Sequence, residues 1–277
     1  MAILYENKEA KDKALSLRSA GPSRLLVISD FDGTLTQTPS GQAGFSLIAA
    51  LREHALLGPD YAAEARALAE KYGPAENDSN ISLAERAERM ANWWQEHYQL
   101  LFASSLSREK IVESVSLCSR VFRPGVSDFF RRLERGRVPL VIFSASGLGA
   151  AGIEEFFRQQ GEAVAKVFLA ANRFRFDGSG RAVSLEGPLI HSASKSREVL
   201  EQMPFFDELS GRDNIVVLGN SLDDADMAEG LGKEILKIGI WNGADPCPPA
   251  FLSRYDLVIP GDGAFEVIGG IMKDIIR

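Results

Sequence analysis

Short apolar runs recur along the chain and are separated by longer segments with helical character. The runs do not alternate apolar with polar positions, which is typical of strands buried on both faces of a parallel sheet. These predicted strands are Leu25–Ser29, Val138–Phe143, Val167–Ala170, Ile215–Leu218, Leu236–Ile240 and Leu257–Ile259. The predicted helices between them are Val126–Arg135, Gly152–Gln160, Lys195–Gln202 and Ala225–Leu231. Alternation of this kind predicts a doubly wound parallel α/β sheet with right-handed crossovers.

One region departs from this alternation, because nearly all of its residues favour helices. From about Thr38 to Cys118 the predicted helices are Gly44–Glu53, Tyr61–Lys71, Ile81–Phe102 and Ser107–Cys118. Apolar residues recur at helical spacing in the third of them, at Leu83, Ala87, Met90 and Trp94. Gly73-Pro74 and Asn77-Asp78 are expected to separate the helices. We therefore predict an α/β core domain at residues 1–37 and 119–277, with an all-helical cap domain inserted at residues 38–118.

Composition narrows the class of protein but does not identify a function. The chain has 277 residues, of which 45% are hydrophobic and 25% charged, as in an ordinary globular protein. Its formal net charge of −7 argues against general affinity for nucleic acids or anionic membranes. No apolar run suggests a membrane span or a secretory signal. Cys118 and Cys247 are expected to be reduced thiols. We therefore expect a cytoplasmic protein, with a monomer as the default state.

The most informative chemistry follows the first predicted strand, in the segment Asp30-Phe31-Asp32-Gly33-Thr34-Leu35-Thr36. Ligands of open parallel sheets bind beyond the carboxyl ends of the strands, and this segment must lie there. Asp30 and Asp32 can share one metal ion, while Thr34 offers a hydroxyl and an amide to a phosphate oxygen. The alternative is an acidic turn that merely caps the next helix, and the complete segment argues against it.

Three further segments place polar residues after predicted strands or turns. Ser144 and Ala145 end the strand that precedes Gly147, and Lys195 follows Ser194, a predicted helix N-cap. The last segment is Asn220-Ser221-Leu222-Asp223-Asp224-Ala225-Asp226. Its oxygen donors suit magnesium rather than zinc or copper. Each segment alone also has an ordinary structural explanation: a glycine turn, a solvent-facing lysine, and a helix-capping acidic loop.

Taken in order, the Asp-x-Asp, serine, lysine and acidic segments resemble the signature of the haloacid-dehalogenase superfamily. The resemblance implies a Rossmann-like core and Mg²⁺-dependent phosphatase chemistry. Asp30 would attack phosphorus and become an aspartyl-phosphate, while Asp32 would first donate a proton and then accept one. Two charges of −1 and −2 at 4 Å repel by about 8 kcal/mol at an effective dielectric of 20, so cations are required. The metal would be held by Asp30, the backbone carbonyl of Asp32, and the acidic loop at Asn220 and Asp224.

A closer similarity is to the cytosolic type III pyrimidine 5′-nucleotidases. It is carried by Met90–Trp94, Phe122–Val126, Val141–Gly147, Gly187–His191, Asn214–Gly230 and Ile235–Gly239 with Trp241-Asn242. The similarity implies hydrolysis of nucleoside 5′-monophosphates, with phosphate bound by Ser144, Ala145 and Lys195. It also implies that Glu76 recognises the nucleoside and Trp94 stacks on the base, with His97 one helical turn further along as a substrate-binding position. Packing within the cap core is the alternative for Trp93 and Trp94.

One position departs from that family, since Asn220 stands where the family usually has aspartate. An amide oxygen can still coordinate Mg²⁺ but contributes one negative charge less. We therefore predict weaker metal binding unless Asp223, Asp224 or Asp226 compensates.

Two alternative functions remain open. One is a phosphatase of the same superfamily that acts on a sugar phosphate or a phosphoserine-type substrate. The other is a non-catalytic nucleotide-binding protein, against which the intact Asp30, Asp32, Ser144 and Lys195 argue, because a binding protein needs no nucleophile.

Overall fold

The computed structural model describes residues 3–37, 46–76, 81–162, 166–243, 246–261 and 263–276. Its strands are β1 (Tyr5–Glu6), β2 (Leu25–Ser29), β3 (Thr36–Gln37), β4 (Val121–Phe122), β5 (Leu140–Phe143), β6 (Val167–Ala170), β7 (Arg173–Phe176), β8 (Ala182–Glu186), β9 (Asn214–Gly219), β10 (Glu234–Trp241) and β11 (Leu257–Pro260). Its α-helices are α1 (Ala10–Ala20), α2 (Leu47–Glu53), α3 (Pro59–Glu76), α4 (Leu83–Ala103), α5 (Arg108–Leu117), α6 (Val126–Gly136), α7 (Gly149–Gln159), α8 (Arg197–Leu200), α9 (Pro249–Leu252) and α10 (Ala264–Ile275).

A seven-stranded sheet forms the centre of the molecule, in the order β1-β11-β10-β9-β2-β5-β6. Only β1 runs antiparallel to its neighbour within this sheet. The chain enters the parallel part at β2, continues outward through β5 and β6, and then returns to β9 on the other side of β2. The strand order therefore reverses around β2, and a crevice at such a point is the usual ligand site of an open α/β sheet.

The predicted strands are confirmed, with ends that shift by no more than two residues. All of the residues of β2, β5 and β9 are buried, which explains why their sequences read as continuous apolar runs. Five short strands carry weaker patterns and were not predicted. These are the edge strand β1, the antiparallel pair β3–β4, and the hairpin β7–β8.

Two predicted helices in the second half of the chain are wrong or shortened. Residues 225–231 do not form an α-helix; Asp223–Asp226 form a 3-10 turn, and further turns with bonds between residues three apart follow it. The predicted helix Lys195–Gln202 is reduced to the single turn α8. Ser194 is not its N-cap, because Ser196 occupies that position and the Ser194 hydroxyl bonds to the backbone of His191.

Four helices, α2 to α5, lie between β3 and β4, where the helical insertion was predicted. The antiparallel pairing of β3 with β4 brings together the two points at which the chain leaves and re-enters the core. Gly73-Pro74 does not separate helices, since both residues lie in the last turn of α3. Asn77-Asp78 lies outside the described residues. The domain boundaries at residues 37/38 and 118/119 stay a prediction.

A search of the described residues for a helix long and apolar enough to span a membrane finds none.

Candidate active site

The predicted polar segments converge at the carboxyl edge of the central sheet. Asp30, Ser144 and Asn220 each follow directly after the last residue of a strand, namely β2, β5 and β9. These three strands are adjacent in the sheet, so the three side chains start from neighbouring positions. Lys195 reaches the same place from the loop after the 3-10 turn Ser192–Ser194.

A buried ion triad lies at the centre of this edge. The Lys195 ammonium donates to Asp30 Oδ1 at 2.6 Å and to Asp224 Oδ1 at 2.7 Å. All three side chains are buried, at 8% exposure or less. Burial on its own would lower the pKa of Lys195, but the Asp224 and Asp30 carboxylates outweigh it and raise that pKa. Lys195 is therefore held as a cation by the carboxylates and not by a helix start.

The surroundings of Asp30 disfavour the negatively charged form of its carboxyl group. Burial raises its pKa to about 7, assisted by the Asp224 and Asp32 carboxylates, even though Lys195 acts in the opposite direction. An additional cation placed beside Asp30 would relieve this unfavourable field. The electrostatics of the site thus match the need for a metal ion that the sequence predicted.

The chain turns sharply through Phe31–Leu35, which we call the Asp30 turn because it follows Asp30 directly. Gly33 adopts a φ of +81°, in the region that favours glycine. A Cβ atom there would stand 2.5 Å from Asn220 Nδ2, so the close approach of the two segments also requires glycine. The turn directs the Asp32 side chain toward the same cavity as Asp30.

Asp32 has the properties of a proton donor. Burial raises its pKa, while Arg120, Ser146 and Lys195 act in the opposite direction. Its Oδ1 atom is buried and finds no hydrogen-bond partner among the residues the structure describes. A carboxyl group that keeps its proton more readily than usual, with an uncommitted oxygen, suits general acid catalysis.

The oxygen atoms available to a metal form a mixed set. The Thr34 hydroxyl lies 3.0 Å from Asp30 Oδ2 and 3.1 Å from Asn220 Oδ1, so both oxygens are within hydrogen-bond distance of the same hydroxyl. Together with the predicted Asp32 backbone carbonyl they form a hard oxygen set, which suits Mg²⁺. Within the described ranges, no three His, Cys, Asp or Glu side chains are grouped to hold a metal.

Asp224 supports the loop after β9, and its predicted role as a metal ligand stays a prediction. Its Oδ1 accepts from Lys195, and its Oδ2 accepts from the backbone amides of Asn220 and Ser221 at 3.1 and 3.0 Å. Both oxygens are therefore already used by protein donors. These bonds fold residues 220–224, directly after β9, into a tight turn.

Two neighbouring carboxylates are already paired with cationic side chains. Asp223 forms an ion pair with Arg86 of α4 at 2.7 Å. Asp226 pairs with Arg254 and lies 3.6 Å from the Lys237 ammonium. Asn220 is thus left as the side chain of this loop best placed to contact the metal.

A cavity of about 330 Å³ lies over these groups. Every predicted site residue except His97 lines it: Asp30, Asp32, Glu76, Trp94, Ser144, Ala145, Lys195, Asn220 and Asp224. The Ser144 hydroxyl accepts from the Ser146 amide at 3.0 Å. The floor of the cavity comes from the sheet edge, while Glu76 and Trp94 come from the inserted helices α3 and α4.

The two tryptophans of α4 have different surroundings. Trp94 lines the cavity, and its ring lies so close to Gly147 that a Cβ atom at position 147 would be 2.7 Å away. Trp93 packs with Tyr72 and Met90 in a separate apolar cluster. Both tryptophans therefore take part in packing, since Trp94 also packs against the main core, but Trp94 is the one that lines the cavity.

His97 does not reach the cavity. It is 5% exposed and stacks behind Trp94, with ring centroids 5.6 Å apart and planes 5° from parallel. Its Nε2 atom lies 3.2 Å from the Tyr61 hydroxyl. This position gives His97 a role in supporting the Trp94 ring and argues against the direct substrate contact that the sequence suggested.

Two residues near Glu76, Arg86 and Ser192, were not predicted from the sequence. Glu76 has its pKa raised by burial and by Asp223, while Ser192, Lys195 and Arg86 oppose that shift. Ser192 lines the same cavity as Glu76, and Arg86 pairs with Asp223, whose charge acts on Glu76. Neither carried a usable signal, because a charged residue on a helix and a serine in a turn are common on any surface.

The buried His97 predicts a loss of stability in acid. Burial lowers the pKa of His97 to about 4, with a smaller contribution from Arg52. An unfolded chain binds the proton near pH 6.5, so between about pH 6.5 and 4 the unfolded state holds more protons and stability falls as the pH falls. The full difference is about 3 kcal/mol at 1.36 kcal/mol per pKa unit.

Urea unfolding of wild type and His97→Gln between pH 7 and pH 4.5 tests this expectation. The variant should lose part of the acid-dependent slope, since His191 is also buried and also has a lowered pKa. Asn92→Gln, an uncharged and exposed position of the same helix, is the control and should keep the wild-type slope. Equal slopes for wild type and His97→Gln would show that His97 is not a buried neutral imidazole.

Comparison with known proteins identifies the family. The family profile described as pyrimidine 5′-nucleotidase (UMPH-1) matches residues 34–276. This range contains Ser144, Lys195 and Asn220, and it begins just after Asp30 and Asp32. A 7-methylguanosine phosphate-specific 5′-nucleotidase of Homo sapiens is 31% identical over 265 residues, covering 94% of this chain and 88% of the relative. The Rattus norvegicus protein of the same name is 32% identical over 266 residues, with coverage of 95% and 88%.

Solved structures agree with this relationship. The crystal structure of cytosolic 5′-nucleotidase IIIB bound to cytidine has a TM-score of 0.85 and 27% identity, covering 97% of this chain and 90% of that one. A substrate-bound phosphoserine phosphatase shares the fold, with a TM-score of 0.53, 17% identity, and coverage of 92% and 98%. These matches confirm the predicted haloacid-dehalogenase fold. The chain is a phosphoric monoester hydrolase of the 5′-nucleotidase type and belongs to the pyrimidine 5′-nucleotidase (UMPH-1) family.

Proposed function

We propose that this protein hydrolyses nucleoside 5′-monophosphates to nucleoside and phosphate through an aspartyl-phosphate on Asp30. The observation that carries the proposal is the buried Asp30–Lys195–Asp224 triad beneath a cavity whose other wall holds Trp94. The triad supplies a nucleophile and a cation at one end. The indole ring supplies a flat apolar surface for a base at the other end.

Each residue of the site has a defined part in this proposal. Asp30 attacks phosphorus in line, and the bond between phosphorus and the nucleoside 5′-oxygen breaks. Asp32 gives its proton to that leaving oxygen and later takes one from the water that cleaves the acyl phosphate. Lys195 and Ser144 hold phosphate oxygens. Mg²⁺, when bound by Asp30, Asn220 and the Asp32 carbonyl, would neutralise charge on the phosphoryl oxygens.

Different observations favour two kinds of base, a pyrimidine and a cationic purine. A cavity of about 330 Å³ is at the small end of the range for small-molecule sites, which favours a pyrimidine. The Glu76 carboxylate and the Trp94 ring face the same cavity, and both favour a cationic base. The curated relatives are named for 7-methylguanosine phosphate, whose base carries a positive charge. CMP and UMP are therefore the first candidates, and 7-methylguanosine 5′-monophosphate is the second.

Phosphate release from a substrate panel tests the proposal. The panel contains CMP, UMP, 7-methylguanosine 5′-monophosphate, AMP, glucose 6-phosphate and phosphoserine, each assayed with Mg²⁺ and with EDTA. We expect kcat/KM for at least one nucleotide to exceed that for the two other monoesters. In Trp94→Leu that advantage should fall by about 10- to 100-fold, the worth of one base stacked on an aromatic ring. Equal activity on all monoesters, or none on any, would contradict the proposal.

The metal site gives a separate prediction at position 220. Asn220→Asp adds a negative charge to the loop and should tighten Mg²⁺ binding by about 10-fold or more, because carboxylate number sets affinity for hard cations. Isothermal titration of Mg²⁺ into metal-free protein measures the change. Asp226→Asn is the control, since Asp226 is paired with Arg254 and should not affect the titration. An unchanged titration for Asn220→Asp would remove Asn220 from the set of metal ligands.

A further inference from the structure

Arg123 links the Asp30 turn to the point where the inserted helices return to the core. It is the first residue after β4, which pairs with β3, and its own backbone amide donates to Leu35 O at 3.0 Å. The residue is 5% exposed although it carries a guanidinium group. Burial of such a group requires several hydrogen bonds, and their acceptors show what the side chain does.

The guanidinium of Arg123 donates hydrogen bonds to the backbone of the Asp30 turn. Its Nη2 donates to Gly33 O at 2.7 Å, and its Nε donates to Thr34 O at 2.9 Å. On the opposite side, its Nη1 donates to Gly261 O at 2.7 Å and to Gln37 Oε1 at 3.3 Å. A planar fork with five donors can make this set of bonds, whereas a lysine ammonium cannot span both carbonyls in the same geometry.

Asn242, the residue after β10, forms hydrogen bonds with both Arg123 and the Asp30 turn. Its Oδ1 accepts from Arg123 Nη2, and its Nδ2 donates to Gly33 O at 2.8 Å. The Gly33 carbonyl is therefore held by two donors that also contact each other. This fixes the peptide plane between Gly33, in its left-handed conformation, and Thr34, whose hydroxyl touches both Asp30 and Asn220.

We propose that Arg123 is a positioning residue for the hydrolytic reaction, acting with Asn242 through the carbonyls of Gly33 and Thr34. The inference rests on the proposed roles of Asp30 and Asp32. Fixing the two carbonyls sets the direction of the Asp32 side chain on one side and the Thr34 hydroxyl on the other. Without these hydrogen bonds the nucleophile stays in place directly after β2, but Asp32 and the oxygens expected to hold the metal can move, so turnover falls more than substrate binding.

The test compares Arg123→Lys with Arg212→Lys. Arg212 is a matched control, because it donates to the carbonyls of Pro22 and Leu25 at the opposite end of β2. We expect Arg123→Lys to lower kcat by about 10- to 100-fold, the effect of a displacement of about 1 Å in a reacting geometry, with KM changed by less than about 3-fold. Arg212→Lys should keep the wild-type kcat. Thermal unfolding of both variants monitors folding.

A second measurement separates positioning from a purely structural role. Arg123, Asn242 and Gly33 line a cavity of about 710 Å³. A free guanidinium ion can therefore reach the space that the Arg123 side chain occupies in the wild type. Millimolar guanidinium should restore part of the lost kcat in Arg123→Ala without changing the wild type. Asn242→Ala, at an exposed position, should lower kcat by a smaller factor. In the double variant of Asn242→Ala and Arg123→Lys, the loss of kcat should be smaller than the product of the two single losses, because both residues act on the same carbonyl.

The outcomes are distinguishable. A folded Arg123→Lys protein with wild-type kcat would overturn the positioning role. So would kcat losses of Arg123→Lys and Asn242→Ala that multiply in the double variant, together with no rescue of Arg123→Ala by guanidinium. If the wild type releases no phosphate from any monoester, the proposed function fails instead. In that event Arg123 and Asn242 remain only a backbone clamp.

Discussion

Replacing Asp32 with asparagine is expected to lower the turnover of a nucleoside monophosphate by about 1,000-fold, within the usual contribution of a general acid and base. A nucleoside alkoxide is a poor leaving group and needs the proton that we assign to the half-buried Asp32. p-Nitrophenolate leaves without a proton, so the first chemical step should survive in the variant. The second step still lacks its base, and the phosphorylated enzyme should accumulate.

Rapid-mixing kinetics with p-nitrophenyl phosphate measure this directly. The Asp32→Asn protein should release a burst of nitrophenolate close to one equivalent and then turn over slowly, whereas with a nucleotide no burst should occur. Asp226→Asn, which removes a carboxylate outside the cavity, is the control and should behave as wild type. A loss that is equal for the two substrates, without a burst, would show that Asp32 is not the proton donor.

Replacing Lys195 with methionine is expected to abolish detectable turnover, a loss of about 1,000-fold or more, because the ammonium opposes charge repulsion at the attacking carboxylate. It should also destabilise the fold. Asp30 and Asp224 would remain buried and face each other without their shared cation, and breaking a buried ion pair from one side costs about 3 to 5 kcal/mol. The loss should be larger at pH 8 than at pH 6, because burial raises the pKa of Asp30 and Lys195 is the cation that opposes this rise, so the charged form of Asp30 becomes costlier without it.

Urea unfolding of Lys195→Met at the two pH values, with metal removed, measures this effect. Lys237→Met is the matched control, since Lys237 lies 3.6 Å from Asp226 at the edge of the acidic segment. It should change stability by less than about 1 kcal/mol, as is usual for a partly exposed pair. Activity that persists in Lys195→Met would mean that the phosphate is bound elsewhere.

Sequence reasoning found the parts of the fold in which local pattern and burial agree. The strands β2, β5 and β9 are buried on both faces, so their apolar runs were decisive. The helix predicted at residues 225–231 is absent because Asp223–Asp226 form a 3-10 turn instead, in which Asp224 is held by Lys195, 29 positions away in the sequence. Such a tertiary contact overrides the local pattern and cannot be read from composition.

The candidate site was predictable where residues follow strand ends and unpredictable where they arrive from a distance. Asp30, Ser144 and Asn220 follow adjacent strands, so one topological rule placed them together. Arg123 stood within the Phe122–Val126 resemblance, but nothing in the sequence showed that it would reach back 90 positions to Gly33. His97 was misplaced because helical spacing gives a direction for a side chain but not its depth behind Trp94. The monomeric state and the cytoplasmic location stay predictions.

The most direct test of the central claim is to trap the phosphorylated enzyme. Wild-type protein with Mg²⁺ is mixed with a nucleotide that it hydrolyses, quenched in acid within one turnover, digested and mapped by mass spectrometry. Our account predicts a phosphoryl group on the peptide that contains Asp30, labile to hydroxylamine, and absent from Asp30→Asn. A phosphoryl group on any other residue, or undiminished phosphate release by Asp30→Asn, would contradict it.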